Sequence, residues 1–148
     1  RHPGNFDTCI ETLQKFIALR DDKSKGNFDI GIFQTISVYN ICNLYDLTKY
    51  IREYIDLKIP IHYNMVFTPE HNSPKMLPKE VKEYITKKYT PCTDFVQRTI
   101  DFMNGEDYDE IALQTFVGMT KFSDKIRNEK FEDTFPELYE LLKDYKYE

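Results

Sequence analysis

Only two stretches of this chain read as β-strands, and one helix separates them. The first is FDIGIFQTISVYN, residues 28–40, with the strand expected over 28–39. The second is IPIHYNMVF, residues 59–67. Both are rich in β-branched and aromatic residues, which suit a pleated, packed surface. Between them NLYDLTKYIREYIDL places Leu44, Leu47, Ile51 and Ile55 at helical spacing. Strand, helix, strand in that order predicts a right-handed βαβ unit with parallel strands. Two strands do not make a stable sheet by themselves. Such a chain has to complete its sheet with another copy or belong to a larger barrel or open sheet.

The remaining periodic segments are helical. DTCIETLQKFIALR, residues 7–20, puts Ile10, Leu13 and Ile17 on one face. Asp7 or Thr8 is the expected cap there, with Glu11 completing a capping box behind Thr8. Leu77-Pro78 launches KEVKEYITKKY, and proline suits a first helical turn. From residue 91 onward TPCTDFVQRTIDFMN, DYDEIALQTFVGMTKFSDKIR and FPELYELLKDY carry no strand signal, with breaks at Gly105 and over residues 128–134. The expected class is α/β over residues 1–89, followed by an all-helical segment over 90–148.

Alternation along the strands assigns their faces. Ile30, Ile32, Gln34, Ile36 and Val38 share one side of the first strand, and Gly31, Phe33, Thr35, Ser37 and Tyr39 share the other. In the second, Ile61, Tyr63, Met65 and Phe67 oppose His62, Asn64, Val66 and Thr68. Each strand thus has an apolar face for packing under helices and a mixed polar face. Parallel sheets usually have both faces covered. A polar face that is also enclosed predicts a cavity, with ligand binding beyond the carboxyl ends of the strands. Those ends carry Ser37, Asn40 and Asn43, and then Asn64, Thr68, Glu70, His71 and Asn72. Asn and Ser also cap helices and close turns, but Asn64 lies within a strand, where Asn is depleted.

No complete catalytic set is visible. The Walker, GxSxG and HExxH patterns are missing. His62 and His71, or Glu70 with His71, are isolated candidates for ligand or acid–base work. The EDYDE cluster at 106–110 reads as a solvated helix start. The three cysteines, Cys9, Cys42 and Cys92, are widely spaced and form no CxxC pair, so neither a zinc site nor a disulfide is expected. A net charge of −5 argues against non-specific nucleic-acid binding. The longest apolar runs are strand-sized, far short of the roughly 20 residues that span a bilayer. A cytoplasmic setting is expected. The chain opens with Arg-His-Pro-Gly and no initiator Met, compatible with a processed piece or a segment of something longer.

Taken in order, RHPGNFDTCIETLQKFI, FQTISVYNICNLYDLTKYI, IHYNMVFTPEHNSPKMLPKEVKEYI and FSDKIRNEKFEDTFPEL resemble the C-terminal half of twitch-domain radical SAM proteins. That set is common in phage and marine metagenomic sequences. The resemblance covers nearly the whole chain and rests on the order and spacing of these pieces. It implies the C-terminal part of a partial (β/α)6 TIM-like barrel, with residues 28–39 and 59–67 as its fifth and sixth strands. It also implies S-adenosylmethionine and a [4Fe–4S] cluster in the parent family. The CxxxCxxC cluster loop and the GGE-type strand end are missing here and would lie upstream. On the matched positions, Arg1 would contact the cofactor carboxylate, and Ser37 and Asn40 would face the cofactor. Asn64, Val66 and Thr68 would border adenine or substrate. Thr35 and His62, on the same polar face, would look toward the substrate. No catalytic residue and no metal ligand is implied in this chain. Cys92 is the only thiol placed for an auxiliary cluster. The implied partner is the missing N-terminal half-barrel; the alternative is a cluster-free binding module that self-associates.

Overall fold

The computed structural model describes residues 5–91, 93–105 and 108–145. Helix dominates, at 65%, and the two strands pair in parallel. Helix α1 spans Phe6–Asp21, strand β1 Ile32–Ile36, helix α2 Asp46–Tyr54 and strand β2 Ile61–Met65. Helices α3 (Lys79–Lys88), α4 (Asp94–Asn104), α5 (Glu110–Arg127), α6 (Phe131–Thr134) and α7 (Pro136–Leu142) follow. No strand follows β2 among the described residues. No helix among them is long and apolar enough to cross a membrane.

Both strands are shorter than expected. The Ile32 N–H donates to the Pro60 carbonyl at 2.9 Å, and the Val66 N–H donates to the Ile36 carbonyl at 2.9 Å. Beyond Ile36 the chain turns into a 3₁₀ segment, Val38–Asn43, started by Ser37. Asn43, which opens the helical stretch NLYDLTKYIREYIDL, therefore lies in the 3₁₀ segment and does not cap α2. This turn runs almost directly into α2, whose preceding residue Tyr45 is already helical and supplies no side-chain cap.

The chain forms two compact units. The first takes the chain up to Gln34 together with Tyr45–His62; the second takes Thr35–Leu44 and everything from Tyr63 onward. In the first, α1 is capped by Asn5 rather than by Asp7 or Thr8. Asn5 Oδ1 accepts from the Asp7 N–H at 2.8 Å and from the Thr8 N–H at 3.3 Å. Thr8 lies inside the helix, where its carbonyl accepts from the Thr12 hydroxyl. Ile10, Leu13 and Ile17 are half-buried as the periodicity predicts, yet no residue of α1 is fully buried. Arg20 ties the end of α1 to Asp56 at 2.8 Å, and Phe6 meets Tyr50 edge to face. Ile51 and Ile59 are the buried anchors of this unit.

The second unit holds most of the core. Ile36, Val38, Ile41 and Leu44 are buried there with Leu77 and Ile85 of the α3 region. Val96, Ile100 and Met103 of α4, Phe116 of α5, and Leu138 and Leu142 of α7 complete it. Tyr39 was expected to share the mixed polar face of Thr35 and Ser37. With the strand ended at Ile36, it turns instead into an aromatic cluster with Phe116 (5.0 Å between centroids) and Phe135 (5.4 Å). Residues 128–134, expected only as a break, contain the one-turn helix α6 after Asn128 closes α5 in the left-handed conformation (φ 53°).

Candidate functional site

Strand alternation decides what is exposed. In β1, Gln34 and Ile36 are buried, whereas Phe33 and Thr35 are exposed. In β2, Ile61, Tyr63 and Met65 are half-buried, whereas His62 and Asn64 are exposed. The apolar face is packed, as expected. The polar face, expected to line an enclosed space, is open: none of the described residues covers Phe33, Thr35, His62 or Asn64. In the first unit Phe33 stacks on His62 with ring centroids 4.8 Å apart, both on that open face. Gly31 leaves room beside the imidazole: a Cβ there would lie 3.6 Å from His62 Cδ2.

In the second unit, Ser37 and Asn40 are brought together at the end of β1. Asn40 Oδ1 accepts from the Ser37 N–H at 2.8 Å, and Asn40 Nδ2 donates to the Thr35 carbonyl at 2.9 Å. One amide side chain thus closes the turn by satisfying two backbone groups, which is reason enough for an Asn at this position. Thr35 and Asn64 are exposed, and Val66 is half-buried. Arg1 and Cys92, and Glu106 and Asp107 of the acidic cluster, lie outside the described residues. Asp109 of that cluster caps α5, accepting from the Ala112 N–H at 2.9 Å.

The carboxyl end of β2 opens into a cavity of about 260 Å³ lined by Phe67, Thr68, Glu70, Ser73, Lys75 and Asp109. Of the sequence candidates, Thr68 and Glu70 line it. Lys75, Ser73 and Asp109 were not legible as its partners, since the turns at 70–76 and the start of α5 bring them there. Its walls are fixed by packing. Phe67 meets Phe102 edge to face, and the Lys75 ammonium sits 4.7 Å from the Phe102 centroid. One ammonium, two carboxylates and two hydroxyls around so small a space suit one polar end of a ligand. They do not form a nucleophile with its base.

No family model, curated protein or solved structure matches the chain.

A second, larger groove of about 730 Å³ runs along α3 and α4, lined by Lys79, Lys82, Lys87, Thr86, Asn104 and Tyr108 among others. Sequence reasoning missed it; three of the four lysines of KEVKEYITKK were its only trace. Nearby, Lys88 bonds both carboxylate oxygens of Glu137 and the Cys42 carbonyl. Burial, reinforced by the Glu137 charge, pushes the Cys42 thiol up to about 12, so it stays protonated. Among the described residues no three His, Cys, Asp or Glu side chains are grouped to hold a metal ion.

Proposed function

We propose that this chain is the distal wall of a radical SAM-type half-barrel, contributing the fifth and sixth strands and a helical C-terminal segment. The observation that carries this reading is the open polar face of a two-strand parallel sheet whose other face is packed. Parallel strands are normally covered on both faces and extended on at least one edge. A wall cut from a closed barrel has this asymmetry: helices outside, lumen side bare. In this reading Thr35, His62 and Phe33 face substrate. Asn64, Val66 and Thr68 border the cofactor at the strand end, and Ser37 and Asn40 shape the neighbouring turn. The cavity at Thr68 would take one polar end of the ligand.

The thiols present do not fit a [4Fe–4S] cluster. Cys42 is buried and protonated, Cys9 is exposed on α1, and Cys92 lies outside the described residues. Cluster ligands would come from the missing half-barrel, so no step of radical chemistry is assigned to these residues.

The test is the coding sequence upstream of Arg1. A Cys-x3-Cys-x2-Cys loop is expected roughly 100–130 residues before it, the length of four βα units. A frame that closes immediately upstream, or continues without that loop, overturns the reading. A second reading, a cluster-free module that works as a self-associated unit, is favoured by the exposed Ile111, Met119, Phe122 and Ile126 of α5.

A further inference from the structure

Helix α5 has two apolar sides, and the fold uses one. Ala112, Leu113, Phe116, Val117 and Thr120 are buried. On the opposite side Ile111, Met119, Phe122 and Ile126 are exposed at 77%, 46%, 59% and 66%. Thr115 and Gly118 complete this outer stripe. The positions 111, 115, 118, 122 and 126 advance by threes and fours, the seam spacing of paired helices. The helix has 18 residues and is about 27 Å long at 1.5 Å per residue. A contiguous apolar surface of that length marks an interaction site more often than idle surface.

We propose that α5 pairs antiparallel with α5 of a second copy of this chain, about a two-fold axis passing between Gly118 and Met119. The proposal holds under either reading of function. Its first support is positional. Ile111 and Ile126 lie equally far from that axis, as do Thr115 and Phe122, and Gly118 and Met119. Each apolar residue therefore stands level with an outer-stripe residue of the second copy, as a self-complementary two-fold interface requires.

The second support is charge. Along one flank of the stripe, Glu110 and Gln114 occupy the N-terminal half and Lys125 the C-terminal half. Antiparallel pairing sets the same flank of both copies together and brings Lys125 of one copy beside Glu110 of the other. Parallel pairing would set this flank against the opposite one, around Met119 and Ser123, where no such charge pair forms. The third support is Gly118. A Cβ at this position would meet nothing within 4 Å, so the chain's own packing does not require glycine. Glycine weakens a helix interior, and close approach of two helices at the axis gives it a purpose.

The test is sedimentation equilibrium of the 148-residue chain from about 5 to 500 µM, a range suited to an interface of one helix pair. The wild type is expected to be a reversible dimer. Phe122→Glu, close to the axis, is expected to weaken it at least tenfold, an effect in the range of a central interface residue, and Ile111→Lys, at the end of the seam, to weaken it less. Circular dichroism checks that each variant is folded, and either one suffices. Glu110→Lys alone and Lys125→Glu alone should each weaken the dimer, and the double exchange should restore it. A wild-type monomer at the highest concentration, meaning that something other than a second copy covers the stripe, overturns the proposal. So does a dimer indifferent to Phe122→Glu and Ile111→Lys, or a double exchange that fails to restore association.

Discussion

Lys88 holds its ammonium 2.6 Å from both carboxylate oxygens of Glu137 and 2.8 Å from the Cys42 carbonyl. One side chain therefore ties α3 to α7 and also satisfies a backbone acceptor in the 3₁₀ turn after β1. The two partners are not equivalent. Removing Lys88 strands the Cys42 carbonyl and leaves Glu137 the Tyr84 hydroxyl, which donates to it at 3.2 Å, and water; removing Glu137 leaves Lys88 its carbonyl and water. Both side chains are about one-third exposed (33% and 34%), so the ion pair itself is expected to contribute about 1 kcal/mol or less. Lys88→Met should cost more than Glu137→Gln, by about 1 kcal/mol, because an unsatisfied acceptor is added to the lost pair. Urea unfolding of both variants checks the order. Equal losses would mean that the carbonyl finds another donor.

A second prediction separates a structural Asn40 from a ligand-binding one. Its side chain accepts from Ser37 N–H and donates to the Thr35 carbonyl. Asn40→Ala is expected to destabilise the chain by about 1–2 kcal/mol, the range for loss of a cap and its bonds. Asn40→Asp keeps the acceptor and loses the donor, so it should fall between. Thermal unfolding of the three proteins is the measurement. An alanine variant as stable as the wild type would remove the structural account of this residue.

These two residues illustrate what the sequence carried. Period-two alternation correctly sorted Ile32, Gln34 and Ile36 from Phe33 and Thr35, because that depends only on local geometry. Whether the polar side was enclosed depended on what covers it, which alternation does not encode. Strand ends were misjudged because FDIGIFQTISVYN is apolar and β-branched beyond Ile36, while the turn is set by the Asn40 side chain. The cap of α1 moved to Asn5 because Asn, Asp and Thr all occur within residues 5–8 and each is a competent cap. At the site, Thr68 and Glu70 were legible from their place at a strand end. Lys75 and Asp109 were not, since a turn and a distant helix bring them to the same cavity. The outer stripe of α5 was hidden by the helix being apolar on two sides.

That two-sidedness gives a third prediction. Phe116 is fully buried against Tyr39 and Phe131, whereas Phe122 is 59% exposed on the same helix. Phe116→Ala should cost about 3–5 kcal/mol through lost burial and the cavity left behind. Phe122→Ala should change the stability of the dilute monomer by no more than about 0.5 kcal/mol. Denaturant titration at low protein concentration compares them. Similar losses at the two sites would show that Phe122 is packed in solution.

Asp56 supplies a pH-dependent test. The Lys58 N–H and the Arg20 guanidinium hydrogen-bond its carboxylate and hold it below the usual carboxylate range. A carboxylate lowered in the folded chain stabilises above its unfolded pKa, near 3.9 for Asp, and that contribution is lost as pH falls through the folded value. Asp56→Asn should therefore melt below the wild type at pH 7, and the gap should close under acid, below about pH 4. Melting curves from pH 7 down to 3 would show it. A gap independent of pH would assign the effect to geometry rather than charge.

The last prediction concerns the thiols. Cys42 is 3% exposed and its thiol is pushed up to about 12, so at neutral pH it offers neither access nor thiolate. Cys9 is exposed on α1. The thiolate is the reactive form, and access limits the reagent independently. N-ethylmaleimide at pH 7.5 should therefore modify Cys9 readily and Cys42 at least about a thousandfold more slowly, the combined effect of protonation and burial. Peptide mass spectrometry after timed quenching separates the two sites. In denaturant the difference should vanish, because both factors belong to the fold. Comparable labelling in buffer would mean that the turn at Val38–Asn43 opens on the reagent's timescale. The Lys88 contact to the Cys42 carbonyl could not then be holding it closed.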